Sequence, residues 1–185
     1  MAPKVDLAWI YSVAGLVIGF LLKVLYDEGK SPRLKVLSAA SKPFQIGPFH
    51  QVPGGFDNDY NAYRVKVENK EKKYLNCAAE NCVAWLYVDS APESYQLSWV
   101  GGASELTLNV GDSREVDICA RGAQTGLIVA PTERGYFNPT PPHRIGNGSG
   151  DLLGRIRVTC KNGKKAEMRI TIRPIANYQL DISLA

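Results

Sequence analysis

The chain has 185 residues, of which 45% are hydrophobic and 22% are charged, and its mean hydropathy is −0.16. This composition excludes a disordered tail, a collagen-like repeat and a polytopic membrane protein, because each of these has a far more biased composition. The net charge of +4 comes from scattered basic residues, whereas nucleic-acid binding needs a concentrated basic face, so no nucleic-acid partner is predicted.

An apolar segment near the N-terminus predicts a membrane anchor. Residues 7–22 contain no charge, and with residues 23–26 they supply about 20 largely apolar residues, the helix length that crosses a hydrocarbon core ~30 Å thick. Trp9, Tyr11 and Tyr26 lie near its ends, as aromatic residues do at membrane interfaces. The lipid bilayer is therefore the first predicted partner.

Two other interpretations of this segment fit less well. A cleaved signal peptide ends in a small-residue site, which is missing here, and a buried helix carries a polar stripe. We therefore predict an N-terminal tail over residues 1–6 and a retained transmembrane helix over residues 7–26. Gly15 and Gly19 have the small-xxx-small spacing that lets two membrane helices approach, and they form a candidate face for helix association.

The basic residues beside the segment bear on its orientation. Lys23, Lys30, Arg33 and Lys35 follow or end the apolar segment, whereas only Lys4 precedes it. Because lysine and arginine are enriched on the cytoplasmic side of membrane helices, this favours a cytoplasmic location for the larger domain and leaves the extracellular side open.

The rest of the chain predicts a β-domain. Residues 27–43 are expected to be a linker with one short strand-like piece, and residues 44–185 to be the domain. Its strands show the alternation of apolar and polar residues that is typical of half-buried strands, and an Asn-Gly turn at residues 162–163 predicts a hairpin. Eight or nine short strands separated by turn residues predict an all-β chain: an immunoglobulin-like β-sandwich preceded by one N-terminal transmembrane α-helix.

A long loop interrupts the strands. Residues 131–150 are rich in proline, glycine and asparagine, and a loop of this length in a compact domain is often functional. Tyr136, Phe137, His143 and Arg144 are its candidate partner contacts. The alternative is a packed surface loop whose aromatic residues cover the open end of the sandwich.

Three segments in the middle of the chain carry a resemblance to a known family. They are YRVKVEN at residues 63–69, NCVAWLYVD at residues 81–89 and LTLNVGDSREVDI at residues 106–118. This pattern resembles the membrane-anchored immunoglobulin-like sandwiches of prokaryotes, in particular the CARDB-type domain. The resemblance implies a binding or structural role rather than catalysis, and it implies no ligand residues, since the shared positions serve packing and turns.

The four cysteines are too scattered for a typical zinc site, which pairs its ligands at short spacing. Cys77 and Cys82 are a candidate disulfide, with buried free thiols as the alternative. By strand alternation Cys119 is expected to point away from the core with Asp117, and Cys160 to point inward.

No catalytic, cofactor-binding or metal site is predicted. His50 and His143 both lie in loops with no acid or nucleophile at a suggestive spacing. Asp57 and Asp59, followed by Tyr60, resemble part of a calcium loop but lack its later glutamate, so a solvated turn is the simpler interpretation.

The sequence thus favours a single-pass membrane-anchored protein without enzymatic activity. We expect its sandwich to serve as a protein-interaction or structural subunit of a membrane or cell-surface assembly, with a protein partner or self-association. The alternative from another class is a tethered carbohydrate- or calcium-binding module built on Asp57, Asp59 and Tyr60.

Overall fold

The computed structural model describes residues 7–37, 44–46, 60–73, 75–122, 126–131, 143–177 and 179–184. Within these residues the chain forms one helix followed by β-strands. In chain order the elements are α1 (Leu7–Lys30), β1 (Leu34–Leu37), β2 (Phe44–Ile46), β3 (Tyr60–Asn69), β4 (Ala79–Val88), β5 (Ser94–Trp99), β6 (Leu106–Leu108), β7 (Ser113–Gly122), β8 (Ile128–Val129), β9 (Arg144–Gly146), β10 (Leu152–Thr159), β11 (Ala166–Pro174) and β12 (Leu180–Leu184). The prediction of a mainly β chain with one N-terminal helix is confirmed.

The strands form one curled antiparallel sheet. Hydrogen-bonded neighbours follow the order β1-β3-β7-β5-β4-β10-β11-β12, and β2, β6, β8 and β9 pair at its sides. Strand β5 joins two halves, because residues 94–97 pair with β4 and residues 98–99 pair with β7. We call β1, β2, β3, β7, β8 and β9 the first half-sheet, and β4, β6, β10, β11 and β12 the second half-sheet.

Both half-sheets contribute to one apolar core. On β3, Tyr63, Val65 and Val67 are buried, as their alternation with polar residues predicts. The second half-sheet contributes alternate residues of β4 and β10, among them Leu86 and Ile156, which are also fully buried. The curl therefore brings the apolar faces of the two half-sheets into one cluster.

Strand β7 departs from the predicted alternation. Cys119 and Asp117 were expected to point away from the core, yet both are buried. For Cys119 the cause is a β-bulge: Tyr63 pairs with Cys119 and Arg64 pairs with Asp117, so Ile118 is an extra residue on β7. Asp117 keeps its outward face opposite Arg64, and its contact with Arg64 at 2.6 Å covers it. A bulge inserts one residue into one strand and shifts every side chain beyond it to the other face, which turns Cys119 inward.

The hairpin of β10 and β11 forms as predicted. Ile156 pairs with Met168 and Val158 pairs with Ala166, and the connection contains the Asn-Gly pair at residues 162–163. On the return strand Ile170 lies in the core. The predicted inward face of both strands is therefore confirmed.

Polar contacts join the C-terminal turn to the first half-sheet. The Tyr63 hydroxyl accepts a hydrogen bond from the backbone N–H of Leu180 at 2.6 Å. Arg121 is buried and donates to the carbonyl oxygens of Ile175 at 2.9 Å and Gln179 at 2.6 Å. These bonds hold the turn between β11 and β12 against β3 and β7 from across the core.

The helix and the sheet follow each other almost without a connection. α1 extends through residues 27–30, and β1 begins at Leu34 and pairs with β3, so only residues 31–33 separate them. The region expected to be a linker over residues 27–43 therefore contains the last turn of the helix and the first strand of the sheet.

Candidate functional site

The described surface of α1 is apolar and exposed around the helix. The exposed fraction is 73% for Tyr11 and 75% for Leu16. The other large apolar side chains described on α1 are also exposed: Val13, Val17, Ile18, Phe20, Leu21, Leu22, Val24, Leu25 and Tyr26. At Gly15 and Gly19 nothing lies within 4 Å of where a Cβ would be, so the predicted helix-association face is open.

Within the described residues, no helix has the length and apolarity needed to cross a membrane.

The C-terminal end of α1 is held against the sheet by Lys72. This side chain donates from Nζ to the carbonyl oxygen of Gly29 at 2.9 Å and also to that of Ser31. The last carbonyl groups of a helix have no partner within the helix, and a positive charge there also complements the helix dipole. Lys72 therefore satisfies the helix end from the segment that follows β3.

Asn69, the last residue of β3, connects three separate segments beneath the helix. Its Oδ1 accepts a hydrogen bond from the backbone N–H of Arg33 at 3.2 Å. Its Nδ2 donates to the carbonyl oxygens of Cys77 at 2.9 Å and Leu108 at 3.0 Å. Asn69 is almost completely buried, and its bond to Leu108 is buried while those to Arg33 and Cys77 are part-buried, so together they fix the residues after α1 to the sheet.

Close packing and one ion pair complete the helix–sheet junction. A Cβ added at Gly29 would lie 2.6 Å from Cδ1 of Leu75, so the last turn of α1 packs directly on this side chain, which would have to shift for any larger residue. Lys164, in the connection of the β10–β11 hairpin, forms an exposed ion pair with Glu28 at 3.0 Å. We use the name helix–sheet junction for residues 28–33 with Asn69, Lys72 and Lys164.

Strand alternation alone did not single out the two central residues of this junction. The sequence placed Asn69 at a strand end, where asparagine often forms a turn, but not in contact with the helix end. Lys72 lies in a charged run, KEKK, that looks like an ordinary solvated segment. The sequence signal that could have indicated the junction was an asparagine at the end of a buried strand, Asn69, followed three residues later by Lys72.

The structure holds all four cysteines as free thiols, so the predicted disulfide between Cys77 and Cys82 is not formed. The Sγ of Cys82 faces the core and donates to the Ala79 carbonyl at 3.3 Å, whereas the Sγ of Cys77 lies against the Lys30 carbonyl. Burial raises the pKa of Cys82 to about 12 and also raises the pKa of Cys119. These two thiols therefore stay protonated and unreactive at neutral pH.

Two of the four predicted partner-contact residues lie in the described part of the loop. His143 is half-buried, and its carbonyl oxygen accepts a hydrogen bond from Ala130 at 2.8 Å. Arg144 is exposed at the start of β9 and donates from Nε to Asn147 at 3.0 Å. Tyr136 and Phe137 lie outside the described residues.

The first half-sheet contains a partly buried ion pair. Arg64 donates from Nε to the Asp117 carboxylate at 2.6 Å and lies 3.6 Å from Glu115. Burial raises the pKa of Asp117, although Arg64 acts in the opposite direction. The pair forms beside the bulge of β7, on the outer face of the sheet, where the Arg64 side chain covers the Asp117 carboxylate.

The outer face of the second half-sheet is basic and aromatic. The guanidinium groups of Arg155 and Arg157 lie 4.9 Å and 4.8 Å from the centre of the Tyr87 ring, within the range of cation–π attraction. Arg157 also pairs with Glu167 at 2.8 Å, and this hydrogen bond lowers the pKa of Glu167. Arg155 lies farther from the same carboxylate, at 3.9 Å.

Within the part of the chain that the structure describes, no group of three or more His, Cys, Asp or Glu side chains is arranged to hold a metal ion. Asp57, Asp59 and His50 lie outside the described residues, and Tyr60 is the first residue of β3. The calcium-binding alternative thus has no described geometry.

Comparison of the chain with protein-family models, with curated proteins and with solved structures gave no match. The resemblance to CARDB-type domains stays a prediction.

Proposed function

We propose that this chain is a single-pass membrane protein whose immunoglobulin-like β-sandwich serves as an interaction or structural subunit of a membrane or cell-surface assembly. The observation that carries the proposal is the apolar surface of α1. From Tyr11 to Leu22 every described side chain is exposed and uncharged. An apolar surface of this extent in water is unfavourable, at roughly 25 cal/mol for each Å² of exposed area.

A lipid bilayer fits this surface better than a partner protein on one side. A helix that docks on a protein needs one apolar stripe, whereas α1 is apolar on every side. Its 24 residues extend about 36 Å at 1.5 Å per residue, against a hydrocarbon core ~30 Å thick. The proposed span begins at Leu7, four residues before the described side chains begin.

The curled sheet supports the sandwich part of the proposal. Its half-sheets share one core, and the bonds from Arg121 and Tyr63 to the C-terminal turn cross from one half-sheet to the other. Two antiparallel sheets packed face to face over such a core define a β-sandwich. The junction then presents this domain directly at the membrane surface, on a connection of three residues.

A membrane-extraction experiment tests the anchor. The full chain should remain in the membrane fraction after an alkaline carbonate wash and be released by detergent. Leu16→Asp combined with Ile18→Asp should release it, because an acidic residue at the centre of a membrane helix costs about 3 kcal/mol. Val100→Asp is the matched control, since Val100 is an exposed apolar residue of the sheet domain and should leave membrane binding unchanged.

The role in an assembly is tested separately. Protein extracted in a mild detergent should run in size-exclusion chromatography as a complex or an oligomer. Release of the wild-type chain by carbonate would contradict the anchor, and a lone monomer after mild extraction would contradict the role as a subunit. Cysteine labelling of intact cells with a membrane-impermeant thiol reagent then assigns the side on which the sandwich lies.

A further inference from the structure

A groove of about 480 Å³ crosses the second half-sheet where β10 and β11 pair. Its lining residues come from the end of β4 and from the facing segments of the two strands: Asp89, Leu153, Gly154, Arg155, Arg169, Ile170 and Thr171. Gly154 is required here, because a Cβ at this position would overlap the carbonyl oxygen of Tyr87.

Two arginines oppose each other across this groove. Arg155 pairs directly with Arg169 in the β10–β11 register, and like charges placed directly opposite in a sheet destabilise it. Arg155 is compensated by the Tyr87 ring and by the Glu167 carboxylate, which lies 3.9 Å away. Arg169 has no hydrogen bond or ion pair within the described residues, and Glu167, two residues before it, is engaged by Arg157 and Lys165. Arg169 is therefore a cation of the groove with no carboxylate at ion-pairing distance among the described residues, and a ligand carboxylate would supply that partner.

The other lining groups indicate more than a simple anion. Asp89 supplies a carboxylate that accepts hydrogen bonds from hydroxyl groups, Thr171 supplies a hydroxyl, and Leu153 is an apolar side chain that is 56% exposed. A phosphate dianion carries two negative charges and at most one hydroxyl, so Asp89 repels it more strongly than it repels a singly charged sugar acid with several hydroxyls. A sugar acid satisfies all of these groups, because its carboxylate meets the arginines, its hydroxyls meet Asp89 and Thr171, and its C–H face meets Leu153.

A peptide is disfavoured by the position of the groove. Strands β10 and β11 both have neighbours on both sides, so they offer no free backbone edge on which an extended peptide could add as a strand. Recognition must rely on side chains, which is how small polyhydroxy ligands are bound. We propose that this groove binds an acidic saccharide, with Arg155 and Arg169 holding the carboxylate and Asp89 accepting from ring hydroxyls.

The groove also lies away from the helix end. Cys160 follows β10 and lies beside Gly163, which packs on Pro32 of the junction. Arg155 is five residues earlier, or roughly 17 Å along the strand at 3.3 Å per residue. The groove is therefore separate from the helix–sheet junction, and the proposal does not depend on whether α1 is in a membrane.

Calorimetric titration of the full chain in detergent micelles tests this proposal. The probe is a short oligomer of galacturonic acid, compared with maltotriose and inorganic phosphate. We expect the uronate to bind with a Kd of about 1 mM or tighter and maltotriose not to bind. Arg169→Gln should weaken uronate binding about tenfold or more, since it removes a charge-assisted hydrogen bond to the carboxylate. Arg114→Gln, an exposed arginine of the first half-sheet, is the matched control and should bind as the wild type does.

Asp89→Ala decides between a sugar acid and a simple anion. Loss of a hydroxyl acceptor should weaken uronate binding, whereas loss of a repelling charge would strengthen phosphate binding. Phosphate binding as tight as uronate, with tightening by Asp89→Ala, would overturn the saccharide assignment. Equal loss in Arg169→Gln and Arg114→Gln would reduce the effect to general charge attraction, and no uronate binding at about 10 mM would overturn the proposal as a whole. Unchanged thermal unfolding of each variant confirms that its fold is intact.

Discussion

Replacing Asn69 with alanine should destabilise the whole sheet domain, because this one side chain satisfies three backbone groups. Asn69→Ala removes the acceptor for the Arg33 N–H and the donors for the Cys77 and Leu108 carbonyl oxygens. All three groups stay in place after the substitution, since each belongs to backbone that other bonds hold: Arg33 O, for example, accepts from Lys70 N at 2.8 Å. The variant therefore leaves unpaired groups rather than a collapsed site.

The magnitude follows from the burial of each bond. The bond to Leu108 is buried, and an unsatisfied buried carbonyl costs about 1–3 kcal/mol. The bonds to Arg33 and Cys77 are part-buried, so water replaces them in part and each contributes about 0.5–1.5 kcal/mol. We expect Asn69→Ala to lower the free energy of unfolding by about 4 kcal/mol, a large fraction of the stability of an ordinary domain.

Urea unfolding of the full chain in micelles measures this loss. Tryptophan fluorescence reports the transition, because Trp99 is completely buried in the core and donates from Nε1 to the Cys82 carbonyl. Asn109→Ala is the control: Asn109 is exposed and makes one side-chain bond, to Asp112, so its removal should cost about 0.5 kcal/mol or less. A loss below about 1 kcal/mol for Asn69→Ala, or one equal to that of Asn109→Ala, would refute the role assigned to these bonds.

Three further predictions concern single side chains. Gly154→Ala should lower the free energy of unfolding by about 2 kcal/mol or more, because its Cβ overlaps backbone that cannot move without breaking strand pairing, whereas Gly15→Ala in α1 should leave urea unfolding unchanged. Burial raises the pKa of Asp117, so the stability contributed by its protonated form is complete below the ordinary value of 3.8 and is lost as the pH rises through the raised pKa. Asp117→Asn should lack this loss in unfolding curves measured across that range. Superimposable curves for the wild type and the variant would contradict this prediction. Iodoacetamide at pH 8 should modify Cys77 in the folded chain and Cys82 only after unfolding, as read by peptide mass spectrometry, and equal rates at the two sites would show that Cys82 is not protected.

Local patterns in the sequence were sufficient where neighbouring residues decide the structure. Alternation on β3 identified the buried face of Tyr63, Val65 and Val67. The last hairpin was predicted from its turn residues, but its register could not be. A two-residue Asn-Gly turn would pair Val158 with Glu167, whereas the structure pairs Val158 with Ala166. The observed register keeps the apolar faces of both strands in the core.

Features that depend on long-range contacts could not be predicted in this way. The bulge of β7 exists only because β7 pairs with β3, and no local signal at Ile118 marks it. Likewise, residues 27–43 have the composition of a linker, while the contacts that dock the helix end come from Asn69 and Lys72, about 40 residues later along the chain. Spacing in sequence likewise left both a disulfide and free thiols open for Cys77 and Cys82, because it does not report which way two thiols point.

The three-residue connection after α1 has a mechanical consequence for a membrane-anchored chain. Helices in bilayers tilt when their apolar length exceeds the thickness of the hydrocarbon core. With the last turn of α1 docked on Leu75 and bonded to Lys72, the sheet domain must rotate with the helix rather than hang from it. Strand β10 extends about 26 Å from its far end toward the junction, so a change of about 10° in tilt displaces that far end by about 5 Å. A change in bilayer thickness would then change the distance from the membrane at which the domain meets its partners.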